Sequence, residues 1–159
     1  MKEEKKTISS PEAAKQKALA LLDKRDYSRK ELLRKLTEKG ISDADANAAL
    51  DRLCELGFVD DARYAPIVMR HYAARGYGRR RVAQELQRRG IPKELWDEAL
   101  SQMPEQDEEL DRLLRSRLRG ADPDDRAALK KAADALLRRG YGWDEINEAV
   151  ERLRSAREE

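Results

Sequence analysis

The chain has 159 residues, of which 42% are charged, and its formal net charge is only +2. This polarity leaves little apolar material for one large globular core, and the scarcity of aromatic and β-branched residues argues against a β-sheet, so packed helices are expected. A single cysteine excludes an intramolecular disulfide. No apolar run is long enough to span a bilayer, and the charged segment 1–9 lacks the apolar core of a signal peptide. We therefore expect a cytoplasmic protein.

Signals for helix starts and stops divide the first third of the chain into three helices. Ser10 and Pro11 open a helix that runs to about Arg25. Ser28 and Glu31 have the spacing of a capping box, which predicts the start of a second helix. Glycine at position 40 ends it, and Ser42 caps a third helix. The apolar stripe of this third helix is Ala46, Ala49, Leu50 and Leu53.

The same order of signals continues along the rest of the chain. Asp60–Asp61 caps a helix that runs to about Arg75. A further helix runs from about Gln106 to Arg119. Pro92 and Pro123 are each expected at the first position of a helix, where proline's fixed φ angle is favourable.

These elements belong to an internal repeat with a period of fifty residues. Gly40, Gly90 and Gly140 mark the frame, and apolar columns follow them in register. The repeat predicts an all-α fold of three tandem three-helix modules that form an elongated, curved array, with a monomer expected. The predicted modules are 10–58, a basic module at 59–104 and an acidic module at 105–155.

The middle of the chain is basic: residues 61–100 carry a net charge of +4, whereas residues 101–159 carry −3. The sequence Arg75-Gly76-Tyr77-Gly78-Arg79-Arg80-Arg81 crowds arginines at a helix N-terminus, where the helix dipole disfavours them. A phosphate docked at this end and bound by the free backbone N–H groups would relieve this, although a solvated charged face is the alternative. The equivalent turn at 24–30 is also basic, whereas the turn at 122–126 is mostly acidic.

The predicted nucleic-acid or filament surface therefore consists of cations from the first two modules, and it would read the backbone and not the base sequence. Tyr27 and Tyr77 occupy equivalent positions beside it; packing between helices is favoured over stacking on bases. The predicted cations are Lys24, Arg25, Arg29, Arg70, Arg75, Arg79, Arg80, Arg81, Arg88 and Arg89.

The residues that catalysis would need are missing. His71 and Cys54, the only residues of their types, do not make a metal site. The sequence has no phosphate-binding glycine loop and no nucleophile motif. We therefore expect no catalytic residue, no metal, no cofactor and no enzymatic activity.

The segment from Phe58 to Ala65 resembles the signature of the RecX family of recombination regulators. The segment 27–32 with Leu36 resembles that family's first repeat motif. Its second motif is matched by Gly76, Gly78, Arg80-Arg81-Val82, Glu85-Leu86 and Arg89-Gly90-Ile91. The resemblance covers about residues 13–153.

This resemblance implies a protein that lodges in the groove of the RecA–single-stranded DNA filament and inhibits its ATPase, strand exchange and extension. It would act in homologous recombination, DNA repair and the SOS response. The implied partners are the RecA filament and the single-stranded DNA backbone, with duplex DNA as a further candidate. The acidic residues Asp122–Asp125 depart from the family pattern and leave the contact of the third module open. The alternatives are a sequence-independent DNA-binding repeat protein that acts without RecA, and a generic scaffold.

Overall fold

The structure is a computed structural model and describes residues 8–158. Within this range the chain forms nine α-helices and one short 3-10 helix, with no strand, so the predicted all-α class is confirmed. The helices are α1 Pro11–Leu22, α2 Arg29–Glu38, α3 Asp43–Glu55, α4 Asp61–Ala74, α5 Arg79–Arg88, α6 Trp96–Ser101, α7 Asp107–Leu118, α8 Arg126–Arg138 and α9 Trp143–Glu158, with the 3-10 helix Lys93–Leu95 before α6. None of these helices is long and apolar enough to cross a membrane.

The predicted helix starts are local features, and most of them are confirmed. The Ser28 hydroxyl accepts from the Glu31 N–H while the Glu31 carboxylate accepts from the Ser28 N–H, which is a complete capping box. The hydroxyls of Ser10 and Ser42 cap α1 and α3, and each accepts a hydrogen bond from one backbone N–H of its helix. The Asp60 carboxylate accepts from the Arg63 N–H at the start of α4.

The repeated glycines end α2, α5 and α8, as predicted. Gly40, Gly90 and Gly140 have φ angles of 90°, 74° and 100°, in the left-handed region that side chains with a Cβ rarely adopt. Each helix therefore stops at the same place in its repeat and the chain turns into the next helix.

The predicted positions of two prolines are wrong. Pro123 lies in the turn before α8, which begins at Arg126. Asp125 is the N-cap there, and its carboxylate accepts from two backbone N–H groups in the first turn. Pro92 is the N-cap of the 3-10 helix and does not occupy its first position. The Asp125 carboxylate accepts hydrogen bonds from two backbone N–H groups that would otherwise lack a partner. A proline at the first helical position would only remove one such N–H group. The acidic side chain therefore determines where α8 starts.

The chain folds into two compact units. Of the residues that the structure describes, the first unit contains 8–65 together with Leu86–Trp96, and the second contains Pro66–Glu85 together with 97–158. Residues of the second predicted module are thus divided between the two units. The module boundaries 10–58, 59–104 and 105–155 remain a prediction.

Each unit has its own apolar core. In the first unit α1 packs on α3, and the small residues Ala14 and Ala18 of α1 are fully buried. The buried leucines of this core are Leu32, Leu36, Leu50 and Leu53. In the second unit α7 packs on α8 and α9. Its core includes Leu110, Leu114, Leu136, Tyr141 and Ile146.

Candidate functional site

The basic turn between α4 and α5 is held by residues from the end of α8. Tyr141, completely buried, donates its hydroxyl to the Gly76 carbonyl at 2.9 Å. The Arg139 guanidinium donates to the carbonyls of Arg75 and Gly76. The backbone of this turn is therefore fixed by side chains that follow it by more than sixty residues in the sequence.

The N-terminus of α5 is already occupied by protein atoms. The Gly78 N–H donates to the Arg139 carbonyl at 2.8 Å, and the Arg80 N–H donates to the Gly140 carbonyl at 3.1 Å. The expectation that free N–H groups at this end would receive a phosphate is therefore wrong for these two donors. Carbonyls at the C-terminal end of α8 carry the partial negative charge that the arginine-rich N-terminus of α5 lacks.

The arginines of this turn have two different environments. Arg75, Arg79 and Arg80 are exposed. Arg81 is half-buried; it pairs with the buried Glu85 at 3.4 Å, and its guanidinium carbon lies 5.2 Å from the centre of the Tyr77 ring. Arg139 lies 4.5 Å from the same ring centre. Tyr77 is thus in contact with two guanidinium groups of the protein itself.

In the equivalent turn of the first repeat, Lys24 is exposed and Arg25 lies 4.0 Å from the centre of the Tyr27 ring. Arg25 also approaches the Glu31 carboxylate at 3.4 Å. Tyr27 is 9% exposed, so most of its ring is already covered by protein. The two tyrosines of the predicted surface therefore share one arrangement, a ring covered by arginine.

Two further predicted cations make internal contacts in the first unit. The Arg29 guanidinium donates to Asn47 at 3.0 Å and to Asp51 at 2.6 Å. Arg89 donates to the Tyr64 hydroxyl at 2.6 Å, and its carbonyl accepts from the Ser28 hydroxyl. The remaining predicted cations are exposed: Lys24, Arg70, Arg75, Arg79, Arg80 and Arg88.

Sequence reasoning missed the residues that organise these turns. Asp61 was expected only as part of a cap of its own helix, but its carboxylate accepts the Arg29 N–H at the start of α2, 3.0 Å away. Partial burial raises the pKa of Asp61, and the hydrogen bond and charge of Arg29 oppose the increase. Arg139 and Tyr141 were not predicted as partners of the basic turn, and the only sequence signal was their position on either side of the repeat glycine.

The Tyr141 hydrogen bond predicts a specific pH dependence of stability. Burial raises the pKa of Tyr141 from 10.0 to about 12, so its hydroxyl stays protonated in the folded chain while the unfolded chain ionises. The free energy of unfolding should therefore be unaffected below pH 10 and fall by roughly 2 kcal/mol towards pH 12. Chemical denaturation of wild type and Tyr141→Phe at each pH measures the difference.

The Tyr141→Phe variant is expected to lose about 1 kcal/mol at neutral pH, because the Gly76 carbonyl loses the shorter of its two side-chain hydrogen bonds and keeps only the one from Arg139. It should also lack the additional alkaline fall. Parallel curves for the two proteins above pH 10 would contradict this assignment.

Among residues 8–158, no three or more His, Cys, Asp or Glu side chains are grouped so as to hold a metal ion. The candidate site presents exposed guanidinium and ammonium groups. These groups form charge-assisted hydrogen bonds with phosphate, and arginine does so with two N–H donors at once.

Comparison with known proteins identifies the same repeat. The three three-helix domains of RecX match in order: the first at residues 14–53, the second at 60–100 and the third at 105–150. The chain is 44% identical over 136 residues to Regulatory protein RecX of Stenotrophomonas maltophilia, covering 85% of this chain and 83% of that protein. It is 34% identical over 145 residues to Regulatory protein RecX of Vibrio campbellii, covering 91% of each.

A solved structure of RecX from Lactobacillus salivarius has the same fold. It superposes with a TM-score of 0.82, covering 90% of this chain and 96% of that chain, at 22% sequence identity. A crystal structure of regulatory protein RecX superposes with a TM-score of 0.80, covering 89% of this chain and 72% of that one. The predicted tandem arrangement of three three-helix domains is thereby confirmed.

Proposed function

The chain belongs to the RecX family of regulatory proteins, and we propose from this that it is a non-catalytic regulator that binds the RecA–single-stranded DNA filament. The observation that carries the proposal is the match of all three RecX domains, in order, to one chain. In this proposal the protein inhibits ATP hydrolysis, strand exchange and filament extension. It acts as a cytoplasmic monomer in homologous recombination, DNA repair and the SOS response.

The exposed cations support a surface that follows a phosphate backbone. Arg79 and Arg80 lie side by side at the start of α5, with Arg75 just before the turn, and all three are exposed. Contacts of this kind position a protein on nucleic acid without reading its bases. Single-stranded DNA in the filament is the proposed ligand, and duplex DNA is a further candidate.

The internally engaged arginines have a supporting role in this proposal. Arg29, Arg81 and Arg89 are tied to neighbouring side chains, and they hold the turns that present the exposed cations. Tyr27 and Tyr77 act by packing, because arginine already covers their rings. A surface of this type needs little rearrangement on binding, which reduces the entropic cost of association.

Inhibition follows from selective binding to one state of the filament. A protein that contacts neighbouring filament subunits in one conformation lowers the free energy of that conformation alone. A step that requires the filament to leave that conformation is then slowed, because the protein binds the next conformation more weakly and the difference in binding free energy adds to the cost of the step. Catalytic residues are not needed for this effect.

A titration of this protein into RecA tests the proposal. The rate of single-stranded-DNA-dependent ATP hydrolysis is expected to fall when the protein is present at substoichiometric amounts, because one bound molecule restrains several filament subunits. An unrelated single-stranded-DNA-dependent ATPase, assayed on the same DNA, is the control for sequestration of the DNA. An unchanged RecA rate at equimolar protein would rule the proposal out.

The second candidate is a sequence-independent DNA-binding protein that acts without RecA, which the exposed Arg79 and Arg80 favour. It predicts salt-sensitive binding to bare single-stranded DNA and equal inhibition of both ATPases. The control assay therefore separates the two candidates.

A further inference from the structure

Several carboxylates that make the third module acidic pair with arginines of the module or of the residues just after it. The Asp111 carboxylate accepts two N–H groups of Arg152, the shorter at 2.7 Å. Asp122 pairs with Arg157 at 2.8 Å. Ion pairs of the same module join Asp124 to Arg154 at 3.1 Å and Glu109 to Arg112. These pairs leave the net charge unchanged, but that number does not say where unpaired charges lie on the surface of the module.

A groove between the end of α7 and α8 is rimmed by cations instead. Its volume is about 640 Å³. The rim residues are Arg117, Arg119, Lys131 and Arg138. All four side chains are exposed, and none forms an ion pair with a carboxylate of residues 8–158.

The apolar residues that line the groove are one leucine and several alanines. Leu118 is 5% exposed, Ala135 is 7% exposed and Ala128 is half-buried. Two carboxylates, Asp125 and Asp134, also line the groove. Small residues allow another backbone to approach closely, and an apolar lining offers burial to apolar side chains.

The end of α7 adds a backbone feature. Arg119 has a φ angle of 52°, and within residues 8–158 it is the only residue other than glycine with a positive φ. A side chain with a Cβ rarely adopts the left-handed conformation, and the next residue, Gly120, adopts it as well. One of the rim cations, Arg119, therefore occupies a backbone conformation that glycine would adopt without strain.

We propose that this groove docks an acidic amphipathic segment of a partner protein. Carboxylates of the segment pair with the four rim cations, and its small apolar side chains cover Leu118, Ala128 and Ala135. A nucleic-acid strand fits less well, because the apolar side chains of the groove offer no hydrogen-bond partner to its sugars and phosphates, whereas they can bury the apolar face of an amphipathic segment. No residue of the basic turn at Arg75–Arg81 lines the groove, so the inference goes beyond the proposed function.

The test uses the full chain and a synthetic helical peptide of glutamate, alanine and leucine, titrated at low salt and followed by amide chemical shifts. The peptide is expected to shift amides of α8 and of the α7–α8 turn. The double variant Lys131→Glu with Arg138→Glu should weaken binding by at least about tenfold. The matched control is Arg126→Glu with Lys130→Glu, two exposed cations of the same helix that do not line the groove. It should stay within about twofold of wild type.

Three outcomes overturn the inference. One is the absence of peptide-induced shifts in α8 of the wild type. Another is an equal loss in both double variants, which would indicate general electrostatic attraction. The last is an oligothymidylate that shifts the groove amides and loses affinity with Lys131→Glu and Arg138→Glu, which would make the groove a nucleic-acid site.

Discussion

Replacing Arg79 and Arg80 together by alanine is expected to lower the affinity for the RecA–single-stranded DNA filament by about ten- to a hundredfold. Both side chains are exposed at the start of α5, so their removal takes away charge without opening the core. The dependence of the binding constant on salt should also weaken, by about 0.7 in the logarithmic slope for each phosphate group that the variant no longer neutralises. Fluorescence anisotropy on labelled filaments at several salt concentrations measures both effects.

A double variant, Arg34→Ala with Arg52→Ala, is the matched control for this result. It removes the same number of positive charges from exposed helix positions. Arg34 forms a surface ion pair with Glu38, and Arg52 forms one with Glu55. Such pairs contribute little to stability, about 0–1 kcal/mol each. Equal reductions in affinity for the two double variants would mean that the basic turn has no special role. Arg81 is unsuitable for this test because it also contacts Glu85 and Tyr77.

Replacing Gly140 by alanine is expected to destabilise the fold by about 3 kcal/mol, with the basic turn losing its support. A Cβ at this position would lie 2.4 Å from the Arg81 backbone nitrogen and 2.6 Å from the Arg81 Cβ. The φ angle of 100° adds strain of its own. From the other side, a Cβ at Gly78 would lie 2.5 Å from the Gly140 carbonyl carbon, so Gly78→Ala should cost a similar amount.

Gly57→Ala separates the two contributions. Gly57 has a φ angle of 81° but no atom within 4 Å of the added Cβ, so only the backbone strain of about 1 kcal/mol is expected. Chemical denaturation of the three variants measures the series. If Gly140→Ala were no more costly than Gly57→Ala, the close approach of the α8–α9 turn to α5 would be disproved.

The repeat and the helix boundaries are predictable because their causes are local. The capping box of Ser28 and Glu31 involves atoms three residues apart, and the turn at Gly40 depends on that residue's own φ angle. Periodic apolar positions such as Leu36 and Leu136 follow from helix geometry alone, and both are completely buried. Signals of this kind are complete in the sequence before any packing occurs.

The environment of each predicted site residue was not predictable in the same way. Arg79 and Arg81 are two residues apart and chemically identical, yet one is exposed and the other is bound to Glu85 and Tyr77. The sequence suggested an open helix N-terminus at α5, but carbonyls of Arg139 and Gly140 occupy two of its donors. Net charge misled in the third module because it does not say where charges lie: Arg152 and Arg157 pair with acids, whereas the cations that line the groove form no ion pair within residues 8–158.

The sequence by itself determined the secondary structure, the repeat and the family, since each depends on residue type at fixed short spacings. Only the tertiary structure decided which arginines are exposed, which hold the basic turn, and where the cationic groove lies. The reason is that a hydrogen bond such as Tyr141 to Gly76 joins residues 65 positions apart. Its existence depends on how helices pack, and no local pattern in the chain encodes it.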